Sequence, residues 1–502
     1  MDQPSSEGYR FDGYLAALGE NWLDEDPLLC RWLERRGVGP EGLALADAFG
    51  SAAAGRHRVA ADQVERREKL PYLEQPDPYA RRSTRVVLPP ETLELLAEVH
   101  GSGIWKSTTD DRARYASVYL LNQNGEFGIA CSVACTDGLA RVLRALGHDA
   151  RSREVIERFE HAGPDSWVHG AQFVTEIQGG SDAATNALRA VQDADGQYAL
   201  HGQKWFCSNP TADYWLVTAR CDGAPLGHRG VSLFCVPREH DGAPNGHTLA
   251  RLKDKLGTRA LATAEIDFDG ALGWPVGPLD AGLRNMVALV LTTSRVHCVL
   301  AAAAASRRAA REAHAYARFR EAFGRKLADH PLLAASLRRL HEDADRAEAG
   351  AFATVDAWLS EPAGEPEQLW RRVLISLAKA VGTRASPERV YEAMMLLGGN
   401  GVEERFSALP RLWRDAAIME AWEGPYTLLL MQALGDLVRY EAAGREDVLL
   451  RCGLGEHGSA RHARELAEIL AAPAEQESIL RFADLAPRLY RSFEDRALEE
   501  LR

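Results

Sequence analysis

The sequence predicts an α+β fold in which helical regions flank a central antiparallel β domain. Residues 1 to about 165 have mainly helical periodicity, and the same periodicity returns after Pro278. Between them, residues 168–277 form short segments rich in β-branched and aromatic residues, separated by Gly, Asp, Pro and Asn. Strands gathered in one stretch, with helices on both sides, are typical of α+β proteins rather than of alternating βαβ proteins.

The same pattern divides the 502 residues into four parts. We predict an N-terminal helical domain over residues 1–167, a β domain over 168–278, a C-terminal helical bundle over 279–440 and a helical tail over 441–502. This agrees with the roughly three domains or lobes expected from the length.

Long helices account for most of the predicted structure. The first part has a helix that follows Pro90 and ends near Gly101, and a nearly uncharged, hence central, helix between Gly128 and Gly147. Later helices are predicted over Gly282–Phe319, Pro331–Ser360, Pro366–Leu397 and Tyr426–Ala443. The most apolar stretch, Met286–Ala305, includes Arg295 and His297, which favours a buried helix over a membrane span.

Composition excludes several classes of protein. With 46% apolar and 26% charged residues, the chain is neither disordered, collagen-like nor a disulfide scaffold. A net charge of −13 argues against nucleic-acid binding as the main function of the protein. The charged N-terminal residues do not resemble a signal peptide, so we expect a cytoplasmic protein that has no membrane association.

Two apparent motifs are weak. Cys131 and Cys135 are four residues apart but have no His or Cys partner at metal-ligand spacing, so we expect buried thiols and no metal. Residues Gly453–Gly458 match GxGxxG, but they lack the preceding strand and the βαβ unit of a dinucleotide site. We interpret them as a flexible loop between helices.

Two segments of the β domain have the residue types of a binding site. In FVTEIQGGSD, a strand ends in a Gly-Gly turn beside the hydroxyls of Thr175 and Ser181, and such a turn can hold an anion or a carbonyl. In GQKWFCSN, the aromatic residues of a strand precede Ser208. A tight turn and an aromatic core strand remain the structural alternatives.

A third set lies in the C-terminal part. The glycines of Leu397–Gly401 end a helix and allow close approach of a ligand or another chain. Glu423 follows Trp422, and a carboxylate beside an indole can have a raised pKa and act as a general base. Alternatively, Glu423 is a charge that stabilises the start of the helix at Tyr426.

Six motifs in this order resemble the acyl-CoA dehydrogenase flavoprotein family, and most closely its AidB-like branch. They are TEIQGGSD, GQKWFCSN, REAFG at 320–324, LGGNG, RLWRD and the Glu-Gly pair that begins at Glu423. The resemblance covers roughly residues 90–440. It implies the fold of that family: an N-terminal helical domain, a central β domain and a C-terminal helical bundle.

The resemblance implies FAD as the cofactor, bound between the β domain and the C-terminal helices. Thr175 would hydrogen-bond the flavin ring and Ser181 the pyrophosphate. Phe206 would pack on the ring, and Ser208 would lie near flavin N5.

The resemblance also implies a homo-oligomer, a dimer or a tetramer, in which a second subunit completes each FAD site. Arg320 and Phe323 would reach the diphosphate and adenosine of FAD in the neighbouring subunit, and Gly398 and Gly399 would cover the nucleotide there. A guanidinium group suits a diphosphate well.

The implied reaction is α,β-dehydrogenation of an acyl-CoA or a related acyl thioester. Glu423 would remove the α proton, flavin N5 would accept the β hydride, and Arg295 would contact the substrate. An electron-transfer flavoprotein or oxygen would then accept the electrons. Thr292 lies three residues before Arg295, where many members have an Asp that contacts CoA, so a carrier protein could replace CoA.

Two other functions remain open from the sequence. An enzyme of the same fold can carry out different chemistry, as flavin N-hydroxylases and desulfinases do. An AidB-like flavoprotein can associate with nucleic acid, although the acidic tail disfavours that hypothesis. A Glu at position 423 favours dehydrogenation over the different chemistry of the same fold.

Overall fold

The computed structural model describes residues 10–76, 78–80, 84–194 and 196–502. Their contacts divide them into two compact units. Unit 1 contains the described residues up to Val59, together with Asp111–Gly125 and Cys298–Arg502, and unit 2 contains Ala60–Asp110 and Glu126–His297. The predicted N-terminal domain therefore contributes to both units, and the four-part division stays a prediction.

Sixteen α-helices are described, several of which begin with a proline that is already suited to the first helical turn. They are α1 (Asp12–Ala16), α2 (Pro27–Arg35), α3 (Pro40–Ala52), α4 (Arg58–Val64), α5 (Pro90–Gly101), α6 (Asp111–Asn122), α7 (Ala130–Leu146), α8 (Ala150–Glu160), α9 (Gly282–Asn285), α10 (Thr292–Phe319), α11 (Pro331–Leu359), α12 (Glu365–Leu396), α13 (Leu409–Met419), α14 (Tyr426–Arg439), α15 (Glu446–Ala471) and α16 (Gln476–Leu501). Each helix predicted from the sequence is present, within a few residues of its expected ends. A π-helical segment, Met286–Leu291, interrupts the predicted Gly282–Phe319 helix.

Within the described residues, seven strands of the β domain form one sheet, and six further strands form three two-stranded ladders. The strands are β1 (Tyr72–Leu73), β2 (Val86–Val87), β3 (Gly170–Phe173), β4 (Arg189–Gln192), β5 (Tyr198–Ser208), β6 (Tyr214–Cys221), β7 (Val231–Pro237), β8 (Glu239–His240), β9 (Ala243–Pro244), β10 (His247–Leu252), β11 (Thr263–Pro275), β12 (Glu321–Ala322) and β13 (Arg325–Lys326). The long strand β11 pairs with β5, β7 and β10, which closes β5-β4-β6-β7-β11 into a ring.

The large sheet is mixed rather than wholly antiparallel. Strand β6 pairs in parallel with both β3 and β4, whereas the other pairings are antiparallel. A parallel pair needs a long connection, and the chain between β3 and β6 supplies one that includes β4 and β5. Alternation of residue types along a strand does not show the direction of its neighbour, so the sequence predicted only the antiparallel part.

Each unit has its own apolar core. In unit 2, Phe173, Trp215 and Phe234 are completely buried within the ring of strands. In unit 1, the alanine-rich face of α10 packs with α1, α11, α12 and α13, and the ring of Tyr14 stacks on that of Phe406 with 5.6 Å between centroids. Small side chains on α10 allow the neighbouring helices to approach closely.

The segment Leu279–Phe319 is long and apolar enough to cross a membrane, with a mean hydropathy of 1.7 in its most apolar window. However, 67% of that window is buried inside the protein, as in a core helix. This agrees with the prediction of a buried helix.

The GxGxxG segment is a kink between two helical stretches rather than the flexible loop predicted from the sequence. Residues Gly453–Gly458 lie within α15, which is interrupted at Gly455, whose φ is +67°. A side chain at Gly453 would meet the indole of Trp370, because a Cβ there would lie 2.0 Å from Cε2. Glycine is therefore required at Gly453 by helix packing and at Gly455 by the backbone conformation of the kink.

We expect Gly453→Ala to destabilise the packing of α15 on α12. The buried indole of Trp370 would have to move, and overpacking of this kind costs about 1–3 kcal/mol. Gly435→Ala in α14 is the matched control, because a Cβ there meets nothing within 4 Å and Ala favours a helix. Thermal denaturation should show a lower Tm for the first variant and an equal or higher Tm for the second. Equal melting of Gly453→Ala and the parent protein would contradict this packing.

Candidate functional site

The turn after β3 is closely packed around Thr175. The carbonyl oxygen of Thr175 accepts a hydrogen bond from the backbone N–H of Trp205 in β5, at 2.9 Å. The backbones of Glu176 and Gly179 bond each other in both directions, at 3.0 and 3.3 Å. A Cβ at Gly180 would lie 2.5 Å from the Thr175 hydroxyl. The Gly-Gly pair therefore lets the turn lie against that hydroxyl, and Ser181 follows it on the surface.

A buried ion pair between Lys204 and Glu176 holds this turn in place. The Lys204 side chain is completely buried, and its Nζ lies 2.8 Å from Glu176 Oε1. Lys204 Nζ also donates to the carbonyl oxygen of Val174, at 3.0 Å, and to the Thr218 hydroxyl, at 3.1 Å. Three donors thus find three acceptors, as a buried ammonium requires.

The Glu176 carboxylate is also fully engaged. It accepts hydrogen bonds from the backbone N–H groups of Ala187 and Leu188, at 2.6 and 3.1 Å, and from the Gln178 amide, at 2.7 Å. Burial raises the pKa of Glu176, but Lys204 and these donors outweigh burial and lower it overall. Burial lowers the pKa of Lys204 to about 8, so both groups are charged at neutral pH.

A bulge near the end of β5 exposes an aromatic surface. Ala264 of β11 pairs with Cys207 but Ile266 pairs with Lys204, so one extra residue of β5 lies between these pairs. Because of the bulge, neither Trp205 nor Phe206 is buried, and Phe206 is 52% exposed. Phe206 is therefore accessible to a ligand, and its packing on a flavin ring stays a prediction.

The hydroxyl of Ser208 belongs to a chain of hydrogen bonds that begins at Lys255. Lys255 Nζ donates to Thr263 Oγ1 at 2.9 Å, and Thr263 Oγ1 lies 3.1 Å from Ser208 Oγ. An ammonium group can only donate, so Thr263 can direct its own hydrogen towards Ser208. Either hydroxyl of this pair can be the donor, so the Ser208 hydroxyl can donate to or accept from a ligand.

In unit 1, Arg320 and Phe323 lie at a tight hairpin after α10. Strands β12 and β13 are joined by Phe323 and Gly324, which have φ of +53° and +77°, as in a type I′ turn. The Phe323 ring lies at the tip and is 96% exposed. Arg320 is half-buried at the base, where its backbone N–H bonds the Tyr316 carbonyl at 2.8 Å.

The glycine turn of unit 1 is linked to that hairpin through α10. Asn400 Nδ2 donates to the Tyr316 hydroxyl at 2.9 Å, one helical turn before Arg320. Gly398 and Gly399 are exposed, and a Cβ at either would meet nothing within 4 Å. Their backbone is therefore accessible, on the segment that Asn400 joins to α10 just before the β12–β13 hairpin.

Glu423 lies in the loop between α13 and α14. It is half-buried and has a φ of +54°, a conformation that is uncommon for residues other than glycine. The N-cap of α14 is Pro425, and the first turn of α14 contains no acidic residue. A stabilising effect on the helix start falls off within the first turn, so this alternative loses support.

Arg295 lies near the start of α10 in unit 2 and is 6% exposed. One turn earlier, the Thr292 hydroxyl donates to the Val287 carbonyl of the π-helical segment, at 2.8 Å. The role of Arg295 towards substrate stays a prediction, and its burial does not favour contact with a solvated nucleotide.

The structure thus groups the predicted residues into sets. Thr175, Ser181, Phe206 and Ser208 belong to the linked strand ends of unit 2, and Arg320, Phe323, Gly398 and Gly399 to the linked hairpin and turn of unit 1. Sequence analysis missed the buried ion pair of Lys204 with Glu176, and it missed the buried Lys379, whose Nζ donates to the carbonyl oxygens of Glu420 and Gly424. Lys379 had a usable signal, since it is a single charge within an apolar stretch of α12.

Comparison with known proteins identifies the family. Residues 280–434 match the family model of the acyl-CoA dehydrogenase C-terminal domain, and residues 171–271 match that of the middle domain. The putative acyl-CoA dehydrogenase AidB of Escherichia coli strain K12 is 34% identical over 374 residues, which cover 72% of this chain and 67% of that protein. The chain belongs to the acyl-CoA dehydrogenase family.

Two solved structures confirm the fold of this acyl-CoA dehydrogenase family member. The apo form of Bd2924 has a TM-score of 0.86 and 27% identity, and covers 96% of this chain and 97% of its own. Caenorhabditis elegans ACDH-11 in complex with C11-CoA has a TM-score of 0.82 and 25% identity, with 100% and 91% coverage. The resemblance and fold class predicted from the sequence are therefore confirmed. The protein is an oxidoreductase, and FAD is its cofactor.

We expect Lys204→Met to destabilise unit 2 strongly. Loss of the ammonium leaves the buried Glu176 carboxylate without its cation, which costs about 3–5 kcal/mol. The double variant Lys204→Met with Glu176→Gln should recover part of the loss, because the amide is neutral and still accepts from the loop. Thermal denaturation at pH 7 checks both, and a double variant no more stable than the single one would contradict the argument.

The same pair predicts a pH dependence. The pKa of Glu176 is lower in the folded protein than in the unfolded chain, so its stabilisation is complete above the unfolded value of about 4.3. It is lost as pH falls through the folded value. Acidification below about pH 4 should therefore lower the Tm of the parent protein more than that of the double variant.

Proposed function

We propose that this chain catalyses FAD-dependent α,β-dehydrogenation of an acyl-CoA or a related acyl thioester, with Glu423 as the base. Acyl-CoA dehydrogenation in general follows from the family. The observation that carries the finer proposal is the half-buried Glu423 carboxylate, on a loop whose backbone turns through two successive positive φ values. A base held in one place before substrate arrives is what removal of a weakly acidic proton needs.

The residues of the chain fit FAD. Phe206 offers an exposed ring for stacking, and the Ser208 hydroxyl can donate or accept a hydrogen bond. Thr175 lies beside the glycine turn, where a hydroxyl and backbone N–H groups can meet the polar edge of a flavin or an anion. The guanidinium of Arg320 suits a diphosphate. The open backbone of Gly398 and Gly399 adjoins Asn400, which bonds α10 one turn before Arg320.

When bound, FAD would supply the acceptor for the β hydride, and Thr175, Ser181, Phe206 and Ser208 would hold it. Glu423 takes the α proton onto a carboxylate oxygen as that hydride leaves. Negative charge develops on the thioester oxygen, so donors fixed in advance around that oxygen lower the barrier most. The backbone N–H groups of the Glu423 loop are candidates, because the loop conformation is set within unit 1.

We also propose that each FAD site is completed by a second copy of the chain, in a dimer or a tetramer. The fully exposed ring of Phe323 supports this proposal, since an aromatic residue at a hairpin tip suits a partner surface. An electron-transfer flavoprotein or oxygen would reoxidise the flavin, and the cytoplasm is the proposed location.

Glu423→Gln tests the base directly. The amide keeps the size and most hydrogen bonds of the carboxylate but cannot accept the proton. We expect FAD and acyl-CoA to bind normally, and flavin bleaching by acyl-CoA under anaerobic conditions to slow by at least about 10²–10⁴-fold. The pH dependence of bleaching should lose the limb that belongs to the carboxylate. Bleaching at the parental rate would mean that the base lies elsewhere or that the reaction is different.

Arg320→Ala tests the shared site. We expect loss of FAD retention together with weaker assembly, measured by absorbance at the flavin band and by light scattering with size-exclusion chromatography. Arg325→Ala, at an exposed position of the same hairpin, is the control and should keep both. A parent protein that is monomeric yet holds one FAD per chain would contradict the proposal.

A further inference from the structure

Lys379 is a completely buried lysine in the middle of α12. Its neighbours in the helix, Leu377, Ala378 and Ala380, are completely buried as well. An ammonium group in such surroundings is costly unless its hydrogens reach acceptors. An apolar side chain would fill this site without the cost of removing a charge from water. The ammonium must therefore contribute something other than packing.

The ammonium is directed at the loop that contains Glu423. Lys379 Nζ donates to the carbonyl oxygen of Gly424 at 2.6 Å and to that of Glu420 at 2.9 Å. These two carbonyls lie on either side of Glu423 in the chain. One buried group therefore holds the backbone both before and after the proposed base.

The backbone between these two contacts is unusual. Glu423 has a φ of +54° and Gly424 a φ of +103°. A side chain other than glycine disfavours positive φ, so this conformation persists only where surrounding contacts fix it. The two hydrogen bonds from Lys379 are contacts of that kind, and helix α12, 32 residues long, provides a rigid support.

We propose that Lys379 is a positioning residue for dehydrogenation: its buried ammonium holds the Glu423 loop in the strained conformation that presents the carboxylate to substrate. The proposal rests on the proposed function of Glu423 as the base. Lys379 acts through the backbone of that loop and does not itself contact the reacting atoms.

The expected consequence of losing the ammonium is misplacement of the base. Lys379→Met keeps an unbranched side chain of similar length but leaves the Gly424 and Glu420 carbonyls without this donor. The loop can then relax to negative φ at Glu423. A shift of about 1 Å in a catalytic group can cost about 100-fold in rate.

The experiment measures anaerobic flavin bleaching in the FAD-loaded full-length protein at saturating acyl-CoA. We expect Lys379→Met to slow bleaching about 10- to 100-fold while FAD content and the Kd for acyl-CoA change little. Its pH profile should keep the carboxylate limb, whereas Glu423→Gln loses it. Thr383→Val is the matched control, because Thr383 lies one turn away, is equally buried and bonds only the backbone of Lys379, at 2.6 Å. It should bleach within about twofold of the parental rate.

The double variant of Lys379→Met and Glu423→Gln separates positioning from other roles. If Lys379 acts through the base, the double variant bleaches no more slowly than Glu423→Gln alone. A double variant slower by the full factor of Lys379→Met would overturn the proposal. Bleaching of Lys379→Met at the parental rate would also overturn it, while a slow Glu423→Gln variant would leave the proposed function intact. If Glu423→Gln bleaches normally, the proposed function itself fails.

A second variant covers the case in which Lys379→Met does not fold. Gly424→Ala retains the ammonium but strains the same loop, because φ is +103° and a Cβ would lie 3.0 Å from Leu429 Cδ2. We expect it to slow bleaching with little change in FAD content. A parental rate in this variant would show that the loop conformation is unimportant, and would overturn the proposal.

Discussion

The buried ion pair between Lys204 and Glu176 is the interaction on which unit 2 depends most. It joins the middle of β5 to the turn after β3, and Lys204 reaches β6 through the Thr218 hydroxyl. Asn186 extends the network, since it accepts from Thr218 and donates to the Val174 carbonyl. Because two charges are removed from water here, every remaining lone pair and proton must find a partner, and only one loop conformation satisfies them all.

This ion pair fixes the positions of the residues that are proposed to contact the flavin. Thr175 and Ser181 lie on either side of the Glu176 turn, and Phe206 and Ser208 follow Lys204 in β5. A shift of the ion pair would therefore move both groups of residues proposed to meet the flavin. The exposed residues of the site are thus held by buried charges a few residues away.

In unit 1, a buried lysine also fixes the conformation of a partly exposed segment. Lys379 is buried in a helix, and it holds a loop rather than a carboxylate, through two backbone carbonyls. In both units a lysine that the solvent does not reach determines the conformation of a segment that is partly exposed. A rigid scaffold that presents reactive groups on loops is the usual arrangement in enzymes.

Much of this was available from the sequence. Helical periodicity predicted the long helices correctly, and the order of six short motifs predicted the family. The predictions from the sequence failed where the conformation depends on residues that are distant in the chain but close in space. They included a loop at Gly453, since nothing in the local pattern shows that Trp370 packs on that glycine.

The sequence by itself determined which segments form the long helices and the β domain and to which family the chain belongs. Only the tertiary structure decided that β6 has parallel partners, that Lys204 neutralises Glu176 and that Lys379 supports the Glu423 loop. The physical reason is that periodicity and propensity are local properties of the chain. The partner of a buried charge is chosen by residues 28 or more positions away in these two cases, and only folding brings them together.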